Sequence, residues 1–326
     1  MPFRIIPATL DKSASPLRRA LQYAFYDWTR DMPLGRRIVA TLGLVIQAAI
    51  LSGLLIAIRH PAIAVPLAVL FLIGLILLNG ALTSEFVRKM QLESDQVAAQ
   101  QIQQTLQAQN PESLSGYDLQ TFYKPFRDVG GDYFDVIPLP HNQTLFAMAD
   151  VSGKGISAAL LAANIQALVR SIASIDADPL TMARQINSHL SRYTPTDRFA
   201  TAVFMVLNQD SGELLYVNAG HNAPIVSCSG TTTFLEATGL PLGIFAEAKY
   251  ESRTAIIQPD GTLLLFTDGL TDSINAKNPE ECLRDVLADS SSNKMIRLKS
   301  LIDPELNEDD VTILLVGRPV CSNPQA

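Results

Sequence analysis

Acidic residues stand at the ends of several strand-like runs, each in a backbone setting too specific for a solvated surface charge. Asp132 follows Gly130-Gly131 and opens the run Tyr133 to Ile137. Asp150 closes the apolar run Leu145 to Ala149, after which Ser152-Gly153-Lys154-Gly155 turns the chain. Asp268-Gly269 ends a second apolar run, Thr262 to Thr267, and Asp309-Asp310 stands directly before a third, Val311 to Val316. Glycine beside such a carboxylate lets the backbone turn sharply or pass close to a neighbour, so the oxygen is held rigidly. No His or Cys accompanies these acids, and an all-oxygen donor set suits Mg²⁺ or Mn²⁺ rather than Zn²⁺. They point to the chemistry of a hard-metal site.

The elements that position these acids read mainly as strands: 119–123, 133–137, 144–149, 200–207, 213–218, 224–227, 254–257, 262–267 and 311–316. Helices are expected at 156–173, 179–193 and 280–288. Consecutive strands joined by turns such as Asp210-Ser211-Gly212 and Pro259-Asp260-Gly261 predict antiparallel sheets, not alternating βαβ units. Three other motifs do not carry chemistry. Ser152-Gly153-Lys154-Gly155 lacks the earlier glycine and the following Ser or Thr of a phosphate loop. Ser152 has no His and Asp in the order of a triad, and His221 is expected to stabilise a turn between strands.

A net charge of -7 gives no basic footprint, so nucleic-acid binding is disfavoured. Cys228, Cys282 and Cys321 are too few and too scattered for a disulfide framework or a zinc site. The positive mean hydropathy has a local origin. Residues 38–58 carry no charge, and neither do residues 60–84. Each run suffices to cross ~30 Å of hydrocarbon at ~1.5 Å per residue, and the short turn between them predicts a helical hairpin. Seven Lys/Arg precede the first span and Arg88-Lys89 follow the second, which places both ends in the cytoplasm.

Five segments follow. Residues 1–37 form a basic cytoplasmic segment, either an interfacial amphipathic helix or a loosely ordered stretch. Residues 38–83 form the transmembrane hairpin. Residues 84–114 are a Gln-rich linker helix or a solvated spacer, residues 115–319 the globular domain, and residues 320–326 a tail.

Six motifs occur in a telling order: Gly130-Gly131-Asp132-Tyr133, Asp150-Val151-Ser152-Gly153-Lys154-Gly155, Asn218-Ala219-Gly220-His221-Asn222, Gly239-Leu240-Pro241-Leu242-Gly243, Thr267-Asp268-Gly269 and Asp309-Asp310-Val311-Thr312. From about Val97 to Gly317 the chain resembles the metal-dependent protein phosphatases (PPM superfamily). The resemblance is to the bacterial branch typified by stage II sporulation protein E and the sigma-B regulator U phosphatase. It implies an α+β fold of two packed antiparallel β-sheets flanked by helices, and two Mn²⁺ or Mg²⁺ ions. Asp150 would bridge the ions, with Asp132 and the Val151 carbonyl on one, and Asp268 and Asp309 on the other. Asp309 is preferred over Asp310 because the family's ligand is the first residue of its Asp-Asp/Asn-x-Thr pattern. Asp150, Asp132 and Asp268 would then serve hydrolysis of phosphoserine or phosphothreonine by an activated water.

The resemblance also implies a phosphorylated protein substrate, most often an anti-sigma-factor antagonist of STAS type. The linker helix is expected to couple an upstream element to the catalytic domain, with self-association through it as one input. The alternative is an inactive phosphatase-like binding module at the membrane.

Overall fold

The computed structural model describes residues 43–48, 61–106, 114–126, 129–195, 197–289 and 293–319. The basic segment 1–37, most of the first apolar span, its turn up to His60 and the tail 320–326 lie outside these residues. The chain divides into two compact units, residues up to Asp95 and residues from Gln96 onward.

In the first unit a helical stretch at 43–48 accompanies the helix α1 (Pro61–Leu106). A Cβ on Gly74 would come into ordinary van der Waals contact with the side chains of Gln47 and Ile46, so the two stretches pack side by side here. Val69, Leu70, Leu72, Ile73, Ile76 and Leu77 of α1 are exposed. α1 continues without a break past residue 84, where the second apolar span was expected to give way to the linker helix.

The second unit has ten strands: β1 (Asp118–Lys124), β2 (Tyr133–Leu139), β3 (Gln143–Val151), β4 (Ala200–Asn208), β5 (Glu213–Ala219), β6 (Ile225–Cys228), β7 (Thr231–Phe234), β8 (Arg253–Ile256), β9 (Thr262–Phe266) and β10 (Val311–Gly317). They form two five-stranded antiparallel sheets, β1-β10-β9-β6-β7 and β2-β3-β4-β5-β8. The helices are α2 (Ile156–Ala173), α3 (Pro179–Tyr193), α4 (Asp268–Asp272), α5 (Pro279–Ala288) and α6 (Lys294–Ser300).

Strand periodicity explains the layering, because successive side chains point to opposite faces. Phe146 and Met148 of β3 share one core with Leu263 and Leu265 of β9 and Leu314 and Val316 of β10, between the sheets. Leu145, Ala147 and Ala149 face the other way, against Ile165 and Val169 of α2 and Met182, Ile186 and Leu190 of α3. Leu264 and Phe266 of β9 pack similarly beneath Leu283, Val286 and Leu287 of α5 and Leu298 of α6. Both faces of β3 and β9 are therefore covered, which is why these strands read as unbroken apolar runs. The domain is α+β, with two packed antiparallel sheets and helices on both outer faces.

Local chemistry fixes the helix ends. Asp178 caps α3, its side chain accepting the Thr181 amide at 2.8 Å, and Pro179 occupies the first helical position. An ion pair joins α2 to β2: the exposed Arg170 donates to the buried Asp135 at 2.7 Å through Nε and 3.0 Å through Nη2. This accounts for the one acid in the Asp132–Asp135 stretch that does not belong to the site.

Candidate active site

The expected acids come together at one end of the two sheets. β3 delivers Asp150 as its penultimate residue, β9 runs into Asp268 at the start of α4, and Asp309-Asp310 directly precedes β10. Asp132 directly precedes β2, and the register that pairs Tyr133 with Ala149 places it beside the end of β3.

Asp132 is 3% exposed, and its Oδ2 accepts hydroxyl hydrogen bonds from Thr267 at 2.7 Å and Thr312 at 2.5 Å. Thr267 Oγ1 in turn accepts the Thr312 amide at 3.0 Å. The two threonines belong to the first sheet's β9 and β10 ends and Asp132 to the second, so the contact ties the sheets together at the site.

Asp309 and Asp310 separate by role. Asp310 is buried, with Oδ1 accepting the Phe126 amide at 2.8 Å and Oδ2 the Gly131 amide at 2.6 Å. Gly130 must be glycine because a Cβ there would stand 2.4 Å from Asp310 Oδ2. Asp309 instead reaches the open mouth, where its Oδ2 lies 2.9 Å from Lys154 Nζ. Lys154 also donates to the Glu308 carbonyl at 2.5 Å and lies 5.3 Å from the centre of the Phe126 ring.

Electrostatics shows the strain of this gathering. Burial, then the charges of Asp268, Asp309 and Asp310, push the Asp150 carboxyl up to about 7. Burial raises Asp132 well above the usual carboxylate range, and Asp150 adds to the effect. Asp268 is raised by burial and by Asp309 and Asp272. Mutual repulsion of this kind is relieved by a cation of higher charge than one ammonium can supply. Among the described residues, no three side chains of His, Cys, Asp or Glu already close around one point as a finished cage. The set is open, all-oxygen and short of positive charge, which fits hard divalent cations.

His221 lies in the Asn218–Asn222 turn, with Nδ1 2.8 Å from Thr201 Oγ1. Asn218 accepts the His221 amide at 2.8 Å and donates to its carbonyl at 3.1 Å, closing the turn. Burial lowers the imidazole to about 4, which suits the structural role expected of it.

Several contributors were not singled out from sequence. Thr267 and Thr312 lie inside the motifs Thr267-Asp268-Gly269 and Asp309-Asp310-Val311-Thr312, so the signal was present but its use was not. From the last turns of α1, Gln103 clamps Gly130, donating to its carbonyl at 2.7 Å and accepting its amide at 3.1 Å. Arg198 donates to the Ser152 carbonyl at 2.9 Å, next to Asp150-Val151.

A family model described as Stage II sporulation protein E (SpoIIE) matches residues 140–319, more than half of the chain. The chain belongs to the SpoIIE family. Among curated relatives of this SpoIIE-family chain, the phosphoserine phosphatase RsbP of Bacillus subtilis is 25% identical over 207 residues. That match takes in 61% of this chain but only 51% of RsbP, so the chain spans about half the length of that relative. The phosphoserine phosphatase RsbU of the same organism is 26% identical over 245 residues, 71% of this chain and 72% of RsbU. The SiaA-PP2C domain of Pseudomonas aeruginosa shares the fold at a TM-score of 0.60 and 18% identity, covering 71% of this chain and 98% of that domain. RsbX, solved in complex with magnesium, matches at 0.52 and 21% identity over 63% of this chain and 97% of its own. The SpoIIE-family domain shares the fold of that PP2C domain.

Proposed function

We propose that the protein is a membrane-anchored, metal-dependent serine/threonine phosphatase that removes phosphate from a phosphorylated regulatory protein. The single observation behind this reading is the convergence of Asp132, Asp150, Asp268 and Asp309 at one open mouth while Asp310 is spent on backbone amides. Asp132, Asp150, the Val151 carbonyl, Asp268 and Asp309 would hold two Mn²⁺ or Mg²⁺ ions. When bound, such ions lower the pKa of water and balance the charge of a phosphoryl group. The chain's own part is positioning. The Thr267 and Thr312 hydroxyls keep Asp132 oriented and favour its ionised form against the cost of burial. The Asp310 carboxylate fixes the loop that carries Gly131 and Asp132, and Lys154 steadies Asp309 at the rim.

The names of RsbP and RsbU support a phosphoserine substrate, and the family resemblance supports a STAS-type anti-sigma-factor antagonist. Membrane anchoring rests on sequence and on α1. Two helices of the described residues are long and apolar enough to span a bilayer. Ile156–Ala173 is α2 of the phosphatase core, whereas the Ala68–Gln91 stretch of α1 is only 6% buried. A two-pass topology in the inner membrane with both ends cytoplasmic follows from the distribution of Lys and Arg. The Gln103 clamp on Gly130 supports the linker helix as a route for signals to the site. Substrate class is tested by giving the full-length protein in detergent a phosphoserine STAS protein, p-nitrophenyl phosphate and a nucleoside monophosphate with Mn²⁺. Preference for the phosphoprotein is expected; turnover of the nucleotide alone would contradict the reading.

A further inference from the structure

We propose that Arg198 is the residue that recognises the phosphate dianion of the substrate. This rests on the phosphatase reading above and assigns a role to a residue outside the acidic cluster. The segment before β4 is laced to the loop after Asp150 by three hydrogen bonds. Ser152 donates its amide to the Phe199 carbonyl at 2.9 Å, and the Phe199 amide donates to Ser152 Oγ at 2.9 Å. Arg198 Nη1 donates to the Ser152 carbonyl, also at 2.9 Å. The guanidinium lies over Gly153, where φ is +94° and a Cβ would stand 1.8 Å from Nη1. The positive φ favours glycine here, and its lack of a side chain leaves the guanidinium room to lie against the loop.

One hydrogen bond engages one of five guanidinium N–H donors. Among the described residues no carboxylate lies within ion-pair distance of Arg198, whereas Arg170 is committed to Asp135 and Lys154 to Asp309. Arg198 is thus a half-buried cation, aimed by its bond to Ser152, whose remaining donors have no anionic partner among these residues. Beyond the charge that metal ions on the acids would supply, a phosphate dianion gains from a cation at the rim that is not tied up in holding the site. A planar fork of N–H donors there supplies it by bidentate pairing with two phosphate oxygens. Phe199, exposed next to it, offers an apolar surface to the polypeptide that carries the phosphate.

The test uses the full-length protein in detergent at saturating Mn²⁺, with a phosphoserine peptide as substrate and inorganic phosphate as competing inhibitor. Arg198→Gln removes the charge while leaving a shorter polar side chain. It is expected to raise KM and the inhibition constant of phosphate together, by about tenfold or more, with kcat changed far less. Arg198→Lys should recover part of both, and the Mn²⁺ concentration for half-maximal activity should stay at the wild-type value in both variants. Unchanged KM and phosphate inhibition in Arg198→Gln, or a change confined to the Mn²⁺ requirement, would show that Arg198 only holds the loop. An inactive wild type would overturn the phosphatase reading itself, and this inference with it.

Discussion

The Thr312 hydroxyl donates to Asp132 Oδ2 at 2.5 Å, joining the first strand residues after Asp310 to the acid that opens the opposite sheet. The same oxygen takes the Thr267 hydroxyl, so one carboxylate is oriented by both strands that carry the other acids. Thr312→Val removes a donor without changing the volume much. It should raise the Mn²⁺ concentration needed for half-maximal activity by about tenfold, while Thr312→Ser stays near wild type. A Mn²⁺ titration of activity with circular dichroism as a fold control decides this; equal titration curves for Val and Ser would show that the hydroxyl does not matter.

Asp309 and Asp310 should fail in different ways. Asp310→Ala strips the Phe126 and Gly131 amides of their acceptor and should cost about 3 kcal/mol. For a domain of this size that is a fall in Tm of roughly 2–4 °C per kcal/mol. Asp309→Asn should leave Tm close to wild type and abolish phosphate release. Thermal melting and activity measured side by side would reveal a reversal of these roles.

Asp150 sets a pH dependence in the metal-free protein. Its carboxyl titrates near ~4 in the unfolded chain but is pushed up to about 7 in the fold. The folded state binds the extra proton in that window, so this group's contribution to stability is present below ~4 and is lost as pH rises through about 7. Asp150→Asn removes the titration. Its Tm in the presence of a chelator should exceed that of wild type at pH 8, and the gap should close toward pH 4. A gap of the same size at both pH values would refute the electrostatic account.

His221 gives the opposite slope. Burial lowers it to about 4, so the unfolded chain takes a proton first, near ~6.5. The folded form loses stability as pH falls from ~6.5 toward 4, and the contribution is complete above ~6.5. His221→Gln should flatten this part of the Tm profile and keep phosphatase activity within a few-fold of wild type. Loss of activity with an unchanged melting profile would assign His221 to the chemistry instead.

Much of the domain was legible because its strands are buried on both faces and end in Gly turns. The expected runs at 144–149, 200–207, 262–267 and 311–316 became β3, β4, β9 and β10, and α2 and α3 follow the predicted bounds. Thr231–Phe234 was missed because its alternation is polar and partly exposed. α4 was missed because a five-residue helix beginning at Asp268-Gly269 is hidden in a turn signal. The gathering of acids could be expected from strand ends alone, but their division of labour could not. Asp310 is separated from its amide partners by 184 and 179 residues, and Thr312 from Asp132 by 180. Arg198 reads in sequence as a loop charge beside Asp197; only the pairing of β3 with β4 brings it to Ser152.

The most direct measurement is phosphate release from a phosphoserine STAS protein by the full-length protein in detergent, with Mn²⁺, with a chelator, and in the Asp150→Asn variant with Mn²⁺. The account predicts release only in wild type with Mn²⁺, with the variant folded and inactive. Release that survives chelation, or that Asp150→Asn retains at near wild-type rate, would contradict a two-metal site built on these acids.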